Sequence, residues 1–283
     1  MTDAELARAA WRVIEPCHQI AYRSADVARE FDELGLEEPA HRYYGGRLAP
    51  LGPVPVEVAV AVLWGFAPAA VALGVPGVWQ VAHASEVAAA RLRGSTTTLD
   101  GLGLDLGPAA EALRPVAEAI DLPGRPLAAA HLSFGWPPDA AGQVWVAASV
   151  LREHRGEAHW QATAEAGLDA VECHVLHGLD GHMPSDLLQR VAAWGDDAWA
   201  AAHDRLRSRG LVDAESSTSA GSALKAELEH RTDVLALRPW RGVEDPESVL
   251  ATIRPVAEAA MTTGLLETWA LRERLWKDLP RPG

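Results

Sequence analysis

Cysteine is scarce: Cys17 and Cys173 are the only two in 283 residues, and they stand far apart. That excludes a disulfide framework. Long apolar runs are missing too. The best stretch, residues 54–78, is broken by Glu57 and by Pro55, Pro68 and Pro76, so it falls short of the ~18 apolar residues a membrane span needs. The N-terminus, MTDAELARAA, has no basic segment followed by an apolar core, and no secretory leader is expected. The cytoplasm is the expected location, with no membrane partner. Positive charge is also in short supply: 25 Lys and Arg stand against 39 Asp and Glu, a net charge of −14. Such a surface repels nucleic acid unless its cations are gathered on one face. Phenylalanine and tyrosine number three each, against eleven tryptophans. An indole needs an apolar wall and one acceptor for its N–H, so the plain role of most is to fill gaps between the many alanines.

Signature motifs are absent as well. No P-loop, GxGxxG, GxSxG or HExxH pattern occurs. No cofactor is therefore expected, and no residue is assigned as a metal ligand.

What remains is rich in Ala and Leu and poor in β-branched residues, which predicts a mainly α chain. The pattern predicts a capped helix from Thr2 to about Tyr22, a short one from Asp26 to Leu34 closed by Gly35, and an irregular stretch HRYYGGRLAPLGPVP. Helices follow over Glu57–Phe66, stopping near Pro68, then over 76–80 and 83–93. GSTTTLDGLGLDLG reads as a loop. Further helices are expected over 108–120, from Pro126, and over about 140–166. After Gly167 the order is helix (168–179), helix (185–193), longer helix (196–209), a short strand at Leu211-Val212-Asp213, a wing, then a helix from Ser222 to about 237. This is the order of a winged helix, with minimal β content in the wing. One or two amphipathic helices over about 245–277 close the chain and could pair two copies. The organisation expected is a helical N-terminal domain (1–138), a long connecting helix (139–166), a winged-helix-like, MarR-like domain (167–240) and C-terminal helices (241–283).

The winged-helix stretch has a charge problem. Its candidate recognition helix opens Asp196-Asp197 and continues Trp199, His203, Asp204, and the wing DAESSTSAG carries Asp213 and Glu215 with no cation. Phosphate contacts need Lys or Arg pointing outward. Nucleic-acid binding is therefore disfavoured, and a winged helix kept as scaffold, or as half of a ligand pocket, is the expectation.

Three clusters could carry chemistry. On the helix 140–166, Trp145, Ser149, Arg152, Gly156, His159 and Thr163 fall on one stripe. Glycine inside a helix costs ~1 kcal/mol relative to alanine, so something is expected to approach Gly156 closely, either a neighbouring backbone or a ligand. Arg152 would then hold an anionic or carbonyl group and His159 would exchange a proton. The plainer alternative is a buried ion-pair network joining Arg152 or Arg155 to Glu153, Glu157 or Glu172. In ECHVLHGLDGH, Cys173 and His177 are four apart and His174 and His177 three apart. Either pair could take a metal on one helix face, but the spacing matches no known zinc signature. In RYYGGRLAPLG, Tyr43, Tyr44 and Arg47 suit a pocket wall or a domain-linking loop.

Over nearly its whole length the chain resembles an actinobacterial family of helical proteins that end in a winged-helix region and carry helix-turn-helix or MarR-like names. The likeness rests on YYGGRLAPLGPVP, FAP at 66–68, GRPLAAA at 124–130, LREHRGEAH at 151–159, AGL at 166–168, AWGDDAW at 193–199, RLRSRGLV at 205–212, TSAG at 218–221 and ELEHRTD at 227–233. Members of that type read RGD-x-H where this chain has RGEAH, so Glu157 is a conservative departure, and His177 matches a family histidine. The resemblance implies no established reaction. Association of some members with natural-product pathways implies a small hydrophobic metabolite as ligand.

The resulting expectation is a small-molecule-binding protein that does not bind DNA. Its pocket would use Tyr43, Arg47, Phe66, Trp79, Trp145, Gly156 and His177. In a sharper version it is a cofactor-free acid–base enzyme with His159 and Arg152 as catalytic groups. The alternatives are a ligand-responsive regulator of MarR type and a drug-sequestering resistance protein.

Overall fold

The computed structural model describes residues 2–181 and 183–262. His182 and the stretch 263–277 expected to continue the last amphipathic segment lie outside the described residues.

Helix α1 (Asp3–Arg23) starts where the sequence places it. Thr2 Oγ1 accepts from Glu5 N (3.3 Å) and the Glu5 carboxylate accepts from Thr2 N (2.7 Å), a reciprocal cap. Ser24 caps α2 (Ala25–Glu33) through Asp26 N at 2.9 Å. The next stretch corrects the expectation of an irregular segment. Residues His41–Gly45 form a π-helical turn that runs on into α3 (Gly46–Leu48) and a 3-10 turn, Ala49–Leu51. Close packing explains it: a Cβ on Gly45 would lie 2.7 Å from the Val78 side chain, and one on Gly46 3.0 Å from Phe31. The glycines let this turn sink into the core instead of looping over it.

Then follow α4 (Val56–Val62), α5 (Pro68–Gly74), a 3-10 turn at Gly77–Gln80 and α6 (Ala84–Asp100). Pro68, expected as a stop, opens α5 from its first turn. The GSTTT segment, expected as loop, is the second half of α6. Its Gly94 lies against the α2 backbone, where an added Cβ would stand 2.5 Å from Val27 Cα. Thr97 and Thr98 hydroxyls donate back to Arg93 O and Gly94 O, each at 3.0 Å, so their polar groups stay paired within the helix.

Helices α7 (Gly107–Glu118) and α8 (Pro126–Ser133) lead to the long α9 (Ala140–Glu165), capped by Asp139 on Gly142 N at 2.6 Å. After it come α10 (Ala170–Leu179), α11 (Ser185–Ala192), α12 (Asp196–Ser208), α13 (Ser219–Ala236), a 3-10 turn at Arg238–Trp240 and α14 (Pro246–Thr262). In place of the short strand expected at 211–213, a single antiparallel bridge joins Val212 to Ser217. The Asp213 carboxylate closes that turn by accepting from the backbone N–H groups of Glu215 and Ser216.

The chain is mainly α, as its composition predicts. Helix α9 runs through the interior. Its first half is buried with α1, α7 and α14 in one apolar core, and its last turns join α10, α12 and α13 in another through Ala162. A third core lies between α2, the turn at 41–51 and α6. Val256, Ala257, Ala260 and Met261 of α14 are buried within the first core, so the described half of the segment expected to dimerise already has an intramolecular partner. No helix among the described residues is long and apolar enough to cross a membrane.

Candidate functional site

The charges of α9 converge on Glu153, which is fully buried. Arg47, from α3, donates to it through both arms of its fork: Nε to Oε1 at 3.0 Å and Nη2 to Oε2 at 2.8 Å. Arg152 adds Nη1 to Oε2 at 3.0 Å and turns its Nε toward Glu15 of α1 at 3.3 Å. Burial alone would raise the Glu153 carboxyl, but Arg47 and Arg152 outweigh it and hold the group well below the usual carboxylate range.

Beside this hub stands a second set of buried groups. His18 of α1 shares hydrogen bonds with Ser149 Oγ (3.0 Å) and Tyr22 OH (3.1 Å), and its Nε2 is 3.8 Å from Glu153. Burial, helped by the nearby Arg152 and Arg91 charges, pushes its imidazole well below the ordinary value, so the ring is neutral. Its plane stacks on Trp145 at 6.4 Å, and Trp145 meets His131 edge-on at 5.8 Å. Burial and Arg91 bring His131 down to about 3, so it too is neutral at physiological pH. Arg91 of α6 is 1% exposed. Its guanidinium lies over the rings of Tyr22 (4.8 Å) and Trp145 (5.3 Å), and Nη1 donates to Gly46 O at 3.2 Å.

This second set is under-satisfied. Arg91 Nη2, His131 Nε2, Trp145 Nε1 and Ser95 Oγ, one turn along α6 from Arg91, are buried without a hydrogen-bond partner among the described residues. Native interiors leave few such groups, and each calls for an explanation. Charge is unbalanced as well. Three arginines (47, 91 and 152) face two carboxylates (Glu15 and Glu153), and Arg91 has no carboxylate partner among the described residues. A buried unpaired cation is costly. The unmatched donors and the unpaired guanidinium mark this assembly as the candidate site.

Of the residues singled out from the sequence, Arg47, Arg152 and Trp145 belong to this assembly. Tyr43 packs on Tyr22 (5.1 Å) and on Phe66 (5.5 Å) at its edge, and burial pushes the Tyr43 phenol up to about 12. Trp79 lies apart, its indole donating to Val54 O at 3.1 Å. Among the described residues, a Cβ on Gly156 would meet only Glu153 Oε2, at 3.9 Å. Of the two occupants expected over it, a neighbouring backbone or a ligand, the described residues supply no backbone. Sequence reasoning missed His18, Tyr22, Arg91, Ser95 and His131, although Arg91 and His131 each interrupt a run of alanines. The ion-pair alternative is also present: Arg155 reaches Asp233 (3.1 Å) and Glu229 (3.5 Å) of α13. Of the partners weighed for it, Glu157 instead accepts from Leu127 N (2.7 Å) and Ala128 N (3.2 Å) at the start of α8.

His159 and His177 form a separate cluster with Cys173. His159 Nε2 is 3.6 Å from Cys173 Sγ, and the two imidazoles are 5.4 Å apart. His159 Nδ1 is 3.2 Å from Thr232 Oγ1, whose own hydrogen goes to Leu228 O at 2.7 Å. Thr232 can only accept from His159, so Nδ1 carries the proton and Nε2 faces the sulfur with its lone pair. His174 turns away and bonds Gly65 O at 2.8 Å. Burial pushes the Cys173 thiol up to about 12.

Arg205 of α12 donates to Glu172 (2.9 Å) and Asp169 (2.5 Å), and Arg209, just past the end of that helix, to Gly167 O (3.0 Å); both stay exposed, as do Arg207, Asp196, Asp197 and Asp204.

The model of a helix-turn-helix family matches residues 7–267, nearly the whole chain. No curated protein and no solved structure matches it.

Proposed function

The chain belongs to that helix-turn-helix family, and from this premise we propose that it binds a small organic anion in the buried assembly around Arg91 and does not bind DNA. The observation that carries the reading is the set of unpartnered buried groups, Arg91 Nη2, Trp145 Nε1, His131 Nε2 and Ser95 Oγ, beside a surplus buried cation. Rings of Tyr22 and Trp145 under the guanidinium favour a flat, partly apolar acid. A hydrophobic metabolite carrying a carboxylate, of the kind the natural-product association implies, fits that chemistry. The domain division at residues 138, 166 and 240 and the MarR-like description of the C-terminal part are retained within this proposal. The acid–base version has less support, because the partners shown for His159, Thr232 and Cys173, differ from those shown for Arg152, Glu15 and Glu153. The reading is of binding and names no reaction.

Calorimetric titration with benzoate, salicylate and indole-3-acetate tests it. At least one aromatic acid is expected to bind with one-to-one stoichiometry; three flat titrations contradict the reading.

A second reading, a ligand-responsive regulator of MarR type, draws support from family membership and from the helix order α10, α11, α12, bridge, α13. Against it stand the exposed carboxylates of α12 and the pairing of Arg205 with Glu172 and Asp169, which neutralises one of the exposed cations there. Mobility shift with duplex from upstream of the protein's own gene, at low salt, separates the two. No shift is expected at micromolar protein, and a salt-sensitive shift would move the regulator reading ahead.

A further inference from the structure

The cluster of His159, Cys173 and His177 is not used by the proposed anion site and stands independently of it. One ligand-type atom from each residue lies within 4.8 Å of the other two. Tetrahedral zinc, with Zn–S of about 2.3 Å and Zn–N of about 2.0–2.1 Å, sets its ligand atoms roughly 3.3–3.7 Å apart. The Cys173 Sγ–His159 Nε2 separation of 3.6 Å already falls in that range. Rotamer adjustments of about an ångström at His177 would bring in the third donor.

We propose that His159 Nε2, Cys173 Sγ and one ring nitrogen of His177 form a zinc-binding site that clips α10 to α9. Three features beyond proximity support it. Cys173 and His177 are four residues apart on α10 and so share one face, as a two-ligand helix requires. Thr232 accepts the Nδ1 proton of His159, which fixes the tautomer and turns the Nε2 lone pair toward Cys173 Sγ, the outer-shell arrangement common to metal-bound histidines. Glu229 places a carboxylate oxygen 4.0 Å from His177 Nε2, so negative charge is at hand to offset the divalent ion. One thiolate and two imidazoles are a donor set that suits zinc over magnesium or calcium. On binding, the thiol proton leaves to solvent and sulfur donates its pair to the metal; no redox change occurs.

Cobalt(II) substitutes for zinc and reports its ligands by colour. The chelator-treated full-length protein is titrated with Co²⁺ alone. One equivalent is expected to produce the visible bands of tetrahedral cobalt and a near-ultraviolet sulfur-to-cobalt band, both erased by one equivalent of Zn²⁺. Cys173→Ser should remove the sulfur band, and His177→Gln should weaken cobalt binding by about tenfold or more. His174→Ala, beside the site but bonded to Gly65 O, should bind as the parent does. Circular dichroism checks that each variant is folded, and the parent titration needs no variant. Absence of the tetrahedral spectrum in the parent, a sulfur band that survives Cys173→Ser, or loss of binding in a folded His174→Ala protein would each overturn the assignment.

Discussion

Gly156 sits in the middle of a long helix, where glycine costs about 1 kcal/mol relative to alanine, yet among the described residues no neighbouring backbone needs the room. Gly156→Ala is therefore expected to raise unfolding stability by up to about 1 kcal/mol in urea denaturation; a loss would mean that an unseen contact crowds the position. Glu157 makes a different case. Burial raises its carboxyl to about 7 although two backbone N–H groups and Arg125 pull it down. The native state thus binds a proton more tightly than the unfolded chain. The contribution to stability is largest below about pH 4.5, is lost as pH rises to about 7, and spans roughly 3 kcal/mol at 1.36 kcal/mol per pKa unit. Glu157→Gln should flatten that part of the stability profile between pH 4.5 and 7. A parent-like slope in the variant would assign the dependence elsewhere. Arg47 and Arg152 were legible in the sequence as cations on inward-facing positions. Glu153 was among the partners weighed for Arg152, but not that Arg47 would share it, because side-chain direction alone cannot say which carboxylate two arginines from different elements will meet.

At the scale of the element, the lesson lies in α6. Gly94 and three successive threonines lower helix propensity, so the sequence reads as loop there. Packing against α2 overrides it: the glycine lets two backbones touch, and threonine hydroxyls bond within the helix. The same mechanism turned HRYYGG from expected loop into buried helical turn. By contrast, α1, α9 and α10 fall within about two residues of their expected bounds, and the side chains of Thr2, Asp139 and Asp169 cap their starts. Gly94→Ala is expected to cost about 1–3 kcal/mol, since its methyl would stand 2.5 Å from Val27 Cα and the helix pair must part. A variant as stable as the parent would show that α2 and α6 can separate freely.

On the scale of the whole molecule, helix-turn-helix membership and acidity pull in opposite directions. Family membership points to a DNA-binding type of fold, while the net charge of −14 and the exposed carboxylates of α12 oppose contact with phosphate. Part of the positive charge lies inside, at Arg47, Arg91 and Arg152. The proposed function places the activity in what the helices enclose, since fold membership alone does not decide function.

The most direct test of that claim measures stability and binding together in Arg91→Met. A buried cation kept only for structure should be missed when removed, with a loss of several kcal/mol. A cation kept for a ligand costs the free protein, and replacing it with an apolar side chain is expected to leave unfolding stability equal or higher, by up to about 4 kcal/mol. The account predicts that Arg91→Met holds or gains stability in urea while the calorimetric heat of aromatic-acid binding seen in the parent disappears. A variant that loses stability, or that binds the acid as tightly as the parent, would contradict it.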